Sequence, residues 1–160
     1  MVAIPDEDTL VGIFHNITHT MLGMDASRSL QIATLEQQKE LLYCTGVLPM
    51  PGPTPITVAV SSDLQGSSQL AAALFALEPT DVEIDMVSDT MAELSNMFAG
   101  QLKGFLNLSQ NLGLPKVFTK SEFADALADT RWKHIPVNAG GAKVLVSFTT
   151  EPAIVGLYLA

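Results

Sequence analysis

Within SDTMAELSNMFAG (residues 88–100), Glu93 and Asn96 stand three residues apart among large apolar neighbours. On a helix that spacing makes the two side chains surface neighbours. A carboxylate can accept from a lysine or arginine, and a carboxamide can both donate to and accept from one water molecule. His15 and His19, in HNITH, have the i, i+4 spacing of two zinc ligands. Asn stands where a zinc protease carries its catalytic Glu, however, and no third ligand is evident, so they read as surface or core-edge histidines. Cys44 lies in an apolar strand candidate and reads as a buried core thiol rather than a nucleophile. No G-x-S-x-G, P-loop or G-x-G-x-x-G occurs, and GGAK (140–143) reads as a turn. Trp132 and His134 in TRWKHIP could mark a functional loop, although packing is the commoner role of a lone Trp.

The element that would carry Glu93 and Asn96 is a long helix over about 81–108, roughly 40 Å at 1.5 Å per residue. At 100° per residue, Val87, Met91, Leu94, Phe98, Leu102 and Phe105 fall on one side, and Asp85, Asp89, Glu93, Asn96, Gly100 and Lys103 on the other. The pair is therefore expected to be exposed and adjacent. Gly100 lies one turn further on the same face, at a cost of roughly 0.5–1 kcal/mol relative to Ala, and leaves room for another surface to approach. By spacing alone, such a face is most simply a solvated one, and Met97 beside it reads as core edge.

The other elements build a mixed order. Leu10, Phe14, Ile17 and Met21 recur at helical spacing over 8–22, with Gly23 as the stop. LLYCTGVLP (41–49) and TPITVAVSS (54–62) are strand candidates across the Pro-rich loop 49–55. DLQG (63–66) reads as a turn, followed by a short Ala- and Leu-rich helix at 67–77. Between 110 and 137 the pattern is weakest: SEFADALAD is either a helix capped by Ser121 or a segment in place of a strand. AKVLVSFTT (142–150) and AIVGLYLA (153–160) read as a terminal hairpin turning at Glu151–Pro152. The class is α+β, with long helices packed on an antiparallel sheet, in a single domain spanning 1–160.

Bulk properties narrow the function. The chain is 48% hydrophobic and 16% charged, with a net charge of −9. Eight Lys and Arg, unclustered, argue against nucleic-acid binding, and the acidic balance argues against an anionic membrane surface. The longest apolar run, Leu70–Leu77, is too short to span a bilayer. MVAIPDEDTL lacks the pattern of a secretory signal, and a single cysteine fits a reducing compartment, so the expected location is the cytoplasm.

SDTMAELSNMFAG resembles the signature of the CheX/CheC/FliY phosphatases of bacterial chemotaxis: a helical Asp, a Glu four residues on, an Asn after two more, an apolar residue, and a Gly four after the Asn. Asp89, Glu93, Asn96, Met97 and Gly100 match it in register. FHNITHTMLGMDAS (14–27) and VAVSSDLQGSSQLA (58–71) resemble the end of the first helix and the strand–turn–helix step of CheX-like members. The resemblance covers about residues 8–108 and, more loosely, the closing segment, and a single Glu-x-x-Asn copy points to CheX rather than CheC. After Pro115 the chain departs from the family's pattern, with no Gly until Gly140.

The resemblance implies a phosphatase acting on the phospho-aspartate of a CheY-type response regulator. It assigns Glu93 to pairing with the regulator's active-site Lys and Asn96 to positioning the attacking water. Asp89, Met97 and Gly100 would contact the partner. It implies no cofactor of the chain's own, with Mg²⁺ held by the regulator, and homodimerisation as a family-level expectation. The rival readings are a catalytically silent CheC-like interaction module in a chemotaxis or flagellar-switch complex, and a ligand-sensing domain of the same fold.

Overall fold

In the computed structural model, residues 4–159 are described. The chain order is α1 (Glu7–Leu22), β1 (Ala26–Arg28), α2 (Leu35–Lys39), β2 (Cys44–Met50), β3 (Ile56–Ser62), α3 (Leu64–Phe75), α4 (Ile84–Phe105), β4 (Lys116–Thr119), α5 (Ala124–Ala128), β5 (Lys133–Ala139), β6 (Ala142–Thr149) and α6 (Pro152–Leu159). The strands form one antiparallel sheet in the order β1-β5-β6-β3-β2-β4. This is the expected α+β architecture. Among the described residues, no helix is long and apolar enough to cross a membrane.

Strand alternation sends side chains to two cores. Ile56, Val58 and Val60 of β3 and Val144, Val146 and Phe148 of β6 join the large core beneath α1, α3 and α4. Ala59 and Leu145 point the other way, into a smaller core with Trp132, Phe123, Leu127 and Ile154. Both sheet faces are thus covered by helices, which is why β2 and β3 are buried at every position.

Local chemistry sets the boundaries. Asp6 caps α1 by accepting from the Thr9 N–H, and Gly23 ends it at φ 67°, a left-handed conformation that glycine adopts without a Cβ penalty. DLQG is the start of α3 rather than a separate turn: Asp63 Oδ1 accepts from the Gly66 N–H at 2.6 Å as the N-cap. α4 ends in a Schellman motif, with Leu108 N–H bonded to Lys103 O and Asn107 N–H to Gly104 O, Asn107 taking φ 53°.

The closing hairpin differs from expectation. β6 pairs with β5 across a two-residue turn at Gly140–Gly141, with φ of 57° and 92° as such turns require. Residues 152–159 form α6, whose first turn is closed on the Glu151 carbonyl by the Ile154 and Val155 N–H groups, with Pro152 suited to that position. Ala160 lies outside the described residues. β5 occupies the region where the sequence pattern was weakest, and it contains Pro136. The Pro136 carbonyl accepts from Ser29, so its missing N–H also faces the β1 side and leaves the ladder to β6 intact. SEFADALAD divides into a 3₁₀ turn, Lys120–Phe123, and α5; the Ser121 side chain, expected as a cap, lies outside the described set. The segment before it supplies the edge strand β4, paired with β2.

Candidate functional site

α4 is the platform of the candidate site, and its seat on the sheet depends on residues with almost no side chain. Val87, Met91, Leu94, Phe98 and Leu102 are buried as expected. Phe98 meets Phe14 of α1 edge-to-face with centroids 6.2 Å apart. Thr90 and Ser95, also buried, satisfy their hydroxyls by donating to the Met86 and Ala92 carbonyls within the helix. Beneath them lies Gly46 of β2. A Cβ there would overlap the Met91 carbonyl oxygen, sit 2.6 Å from its carbonyl carbon and lie 3.1 Å from Ser95 Oγ. Backbone therefore packs on backbone, and a glycine inside a strand is the one sequence sign of that approach.

Phe105 departs from the expected apolar stripe: it is 60% exposed, as is Ile84 at the other end of the helix. Helical phase places Phe105 on the stripe, but the buried part of the stripe runs only from Val87 to Leu102. Met21, at the end of α1, is exposed as well.

The opposite side of α4 carries the candidate residues. Asp89, Glu93 and Gly100 are exposed, Lys103 is half-buried, and Asn96, expected to be exposed, is half-buried as well; Met97 packs against the large core, as its core-edge reading expected. Half-burial of Asn96 restricts its rotamers beside the freely hydrated Glu93 carboxylate. Ion pairs among the described residues fall elsewhere: Arg28 with Glu7 and Asp8, His19 with Asp25, Lys39 with Glu36, and Arg131 with Asp129. Among the described residues, the carboxylates of Asp89 and Glu93 have no ion-pair partner. A Cβ at Gly100 would meet only Leu112 Cδ1, at 4.0 Å, and one at Gly104 nothing within 4 Å. Packing within the chain does not demand either glycine.

The histidine pair acquires a neighbour that the sequence pattern missed. His15, His19 and Asp25 bring ligand atoms within 4.8 Å of one another. The hydrogen bonds run against a metal site. His15 Nδ1 accepts from the Ala26 N–H at 3.0 Å, which places the proton of the neutral ring on Nε2. A metal-bound histidine needs the reverse, with its second nitrogen donating to a carbonyl or carboxylate. His15 instead ties β1 to α1.

Trp132 and His134 are packing residues. Their rings stack 5.9 Å apart, and Trp132 is buried in the smaller core. His134 bonds to Ser147 Oγ at 2.7 Å and to the Ala126 carbonyl at 2.9 Å, and burial lowers its pKa.

Cys44 is 2% exposed, and desolvation pushes its thiol up to about 11. Because the thiolate is the reactive form, the native protein is expected to resist a thiol reagent at pH 8 and to react fully once denatured. Rapid labelling of the native state would contradict that burial.

Residues 44–137, more than half of the chain, match the family model described as chemotaxis phosphatase CheX. The chain belongs to the CheX family. The CheX match spans β2 through most of β5 and so includes the whole of α4. Solved CheX structures share the fold at low identity. CheX from Vibrio vulnificus superposes with a TM-score of 0.67 at 14% identity, covering 91% of this chain and 95% of that one. CheX from Desulfovibrio desulfuricans gives 0.65 at 17%, covering 90% and 97%. A third, from Borrelia burgdorferi, was solved as a CheX–CheY–BeF₃–Mg²⁺ complex; it gives 0.65 at 12%, covering 92% and 98%. No curated protein sequence matches the chain.

Proposed function

We propose that this chain dephosphorylates the phospho-aspartate of a CheY-like response regulator. The observation that carries the proposal is the Glu93–Asn96 pair on the side of α4 away from the core, with Glu93 exposed and in no ion pair among the described residues, in a CheX-family chain. The crystallised CheX–CheY complex of a relative supports a regulator as the partner.

Hydrolysis of an acyl phosphate requires a water in line with phosphorus and compensation of charge on the equatorial oxygens, more than a covalent nucleophile. The Asn96 carboxamide holds the water. As the water oxygen bonds to phosphorus, the bond to the aspartyl oxygen breaks, and inorganic phosphate leaves a restored carboxylate. Glu93 pairs with the regulator's active-site lysine, docking α4 and steadying that lysine on the phosphoryl group. Mg²⁺ sits in the regulator's acidic site. Asp89, Met97 and Gly100 line the contact, Gly100 by allowing close approach. The chain contributes positioning, with no cofactor of its own.

The test is the decay of phosphorylated regulators from the same organism, with and without the purified protein. Accelerated release of phosphate for at least one regulator is expected. Unchanged decay for all of them removes the enzyme reading, and binding without faster decay makes the chain a silent interaction module. Glu93→Lys places like charges together at the docking lysine and is expected to raise KM by about tenfold or more. A KM equal to wild type would sink the docking role.

A further inference from the structure

Beyond α4, the chain crosses to β4 through residues 107–115, and this segment is held as few loops are. Gln110 donates through Nε2 to the Met50 carbonyl at 3.2 Å and to the Thr54 carbonyl at 2.5 Å, while its Oε1 accepts from the Thr54 N–H at 3.1 Å. Three residues on, the Gly113 N–H donates to the Pro49 carbonyl at 2.8 Å. The fit leaves no room for a Cβ at either glycine of the seam: one at Gly52 would lie 2.6 Å from Gln110 Cβ, and one at Gly113 2.5 Å from Pro49 O.

Between the two pins stands Leu112, whose Cδ1 lies 4.0 Å from where a Cβ on Gly100 would be. Immediately after them comes Leu114, 81% exposed, its backbone confined to extended conformations by Pro115. Two residues of chain separate the Leu112 and Leu114 Cα atoms by at most about 7 Å. A lone exposed leucine needs no explanation. The backbone around Leu114 is held on both sides, by the Gln110 and Gly113 bonds before it and by the Lys116–Val47 pairing after it, so less conformational entropy remains to be lost on binding than in a free loop.

We infer that Leu114, positioned by Gln110 and Gly113, is a second anchor of the docking surface. It seats on an apolar patch of the response regulator beside the phosphorylated pocket that α4 engages. The inference rests on the docking part of the proposed function, not on hydrolysis. Continuity with the α4 face through the Leu112–Gly100 contact is what assigns the occupant.

The test is affinity for beryllofluoride-activated regulators, measured by titration with wild type and variants. Leu114→Asp is expected to weaken binding by about tenfold, as removal of an interface anchor does. Leu30→Asp, at a leucine 86% exposed on another part of the surface, is expected to bind like wild type. Gln110→Ala is expected to weaken binding alone but to add nothing on the Leu114→Asp background, since it acts through the same side chain. Equal affinity for Leu114→Asp and Leu30→Asp overturns the inference and leaves the phosphatase reading standing. Additive Gln110→Ala and Leu114→Asp effects overturn the positioning role. If wild type binds none of the activated regulators, the docking surface and the inference fall together. Leu114-dependent binding without faster phosphate release supports the inference while removing the enzyme.

Discussion

Asn96→Ala is expected to lower kcat for phospho-aspartate hydrolysis by about 100-fold or more, the usual consequence of losing one positioning group. The water would keep its access to phosphorus but lose the donor and acceptor that hold it in line. Asn96→Asp sharpens the test. It preserves size and half-burial but sets a carboxylate, acceptor-only when ionised, against the phosphoryl oxygens. It is therefore expected to be no better than Ala. Stability should change little, because the face is partly hydrated. Single-turnover phosphate release with saturating phosphatase checks both variants. Activity within a few-fold of wild type in Asn96→Ala would remove Asn96 from the mechanism.

Gly46→Ala is expected to destabilise the fold by about 3 kcal/mol, at the upper end of what overpacking a core costs. The new methyl would overlap the Met91 carbonyl, which is helix backbone and cannot rotate away. At roughly 2–4 °C per kcal/mol for a domain of this size, the thermal midpoint should fall by about 10 °C. Truncating Ser95 should not restore it, because Ser95 Oγ is the more distant neighbour at 3.1 Å. Far-UV circular dichroism on heating measures both variants, and a midpoint unchanged by Gly46→Ala would show that the helix lifts freely. Where Gly46→Ala does fold, α4 must stand further from β2, and the Glu93–Asn96 face shifts with it.

The helices and strands with strong internal periodicity were legible before any tertiary structure. α1 carries an apolar stripe that ends at a left-handed Gly, and β2 and β3 are apolar runs on either side of a Pro-rich loop. The long α4 is legible to within a few residues, because its buried stripe, Val87 to Leu102, repeats over more than four turns. The same phase turned Glu93 outward. α6 was not legible as a helix: PAIVGLYL is apolar on all sides, so alternation and helical spacing fit it equally, and the smaller core that takes up Ile154 and Tyr158 decides between them. β4 and β5 are short or interrupted by Pro136, and their strand conformation comes from ladders to β2, β6 and β1 rather than from local propensity.

By itself, then, the sequence determined what depends on near neighbours along the chain: the α+β class, the Gly23 stop of α1, the exposed Glu93 of α4 and the family signature around it. The tertiary structure decided everything that depends on residues distant in the chain. Backbone contact between Gly46 and Met91 seats α4, Gln110 pins the segment beside Gly100, and His15 spends its lone pair on Ala26. Each of these joins groups with no periodic or spacing relation, so their chemistry appears only once the sheet has brought them within bonding distance.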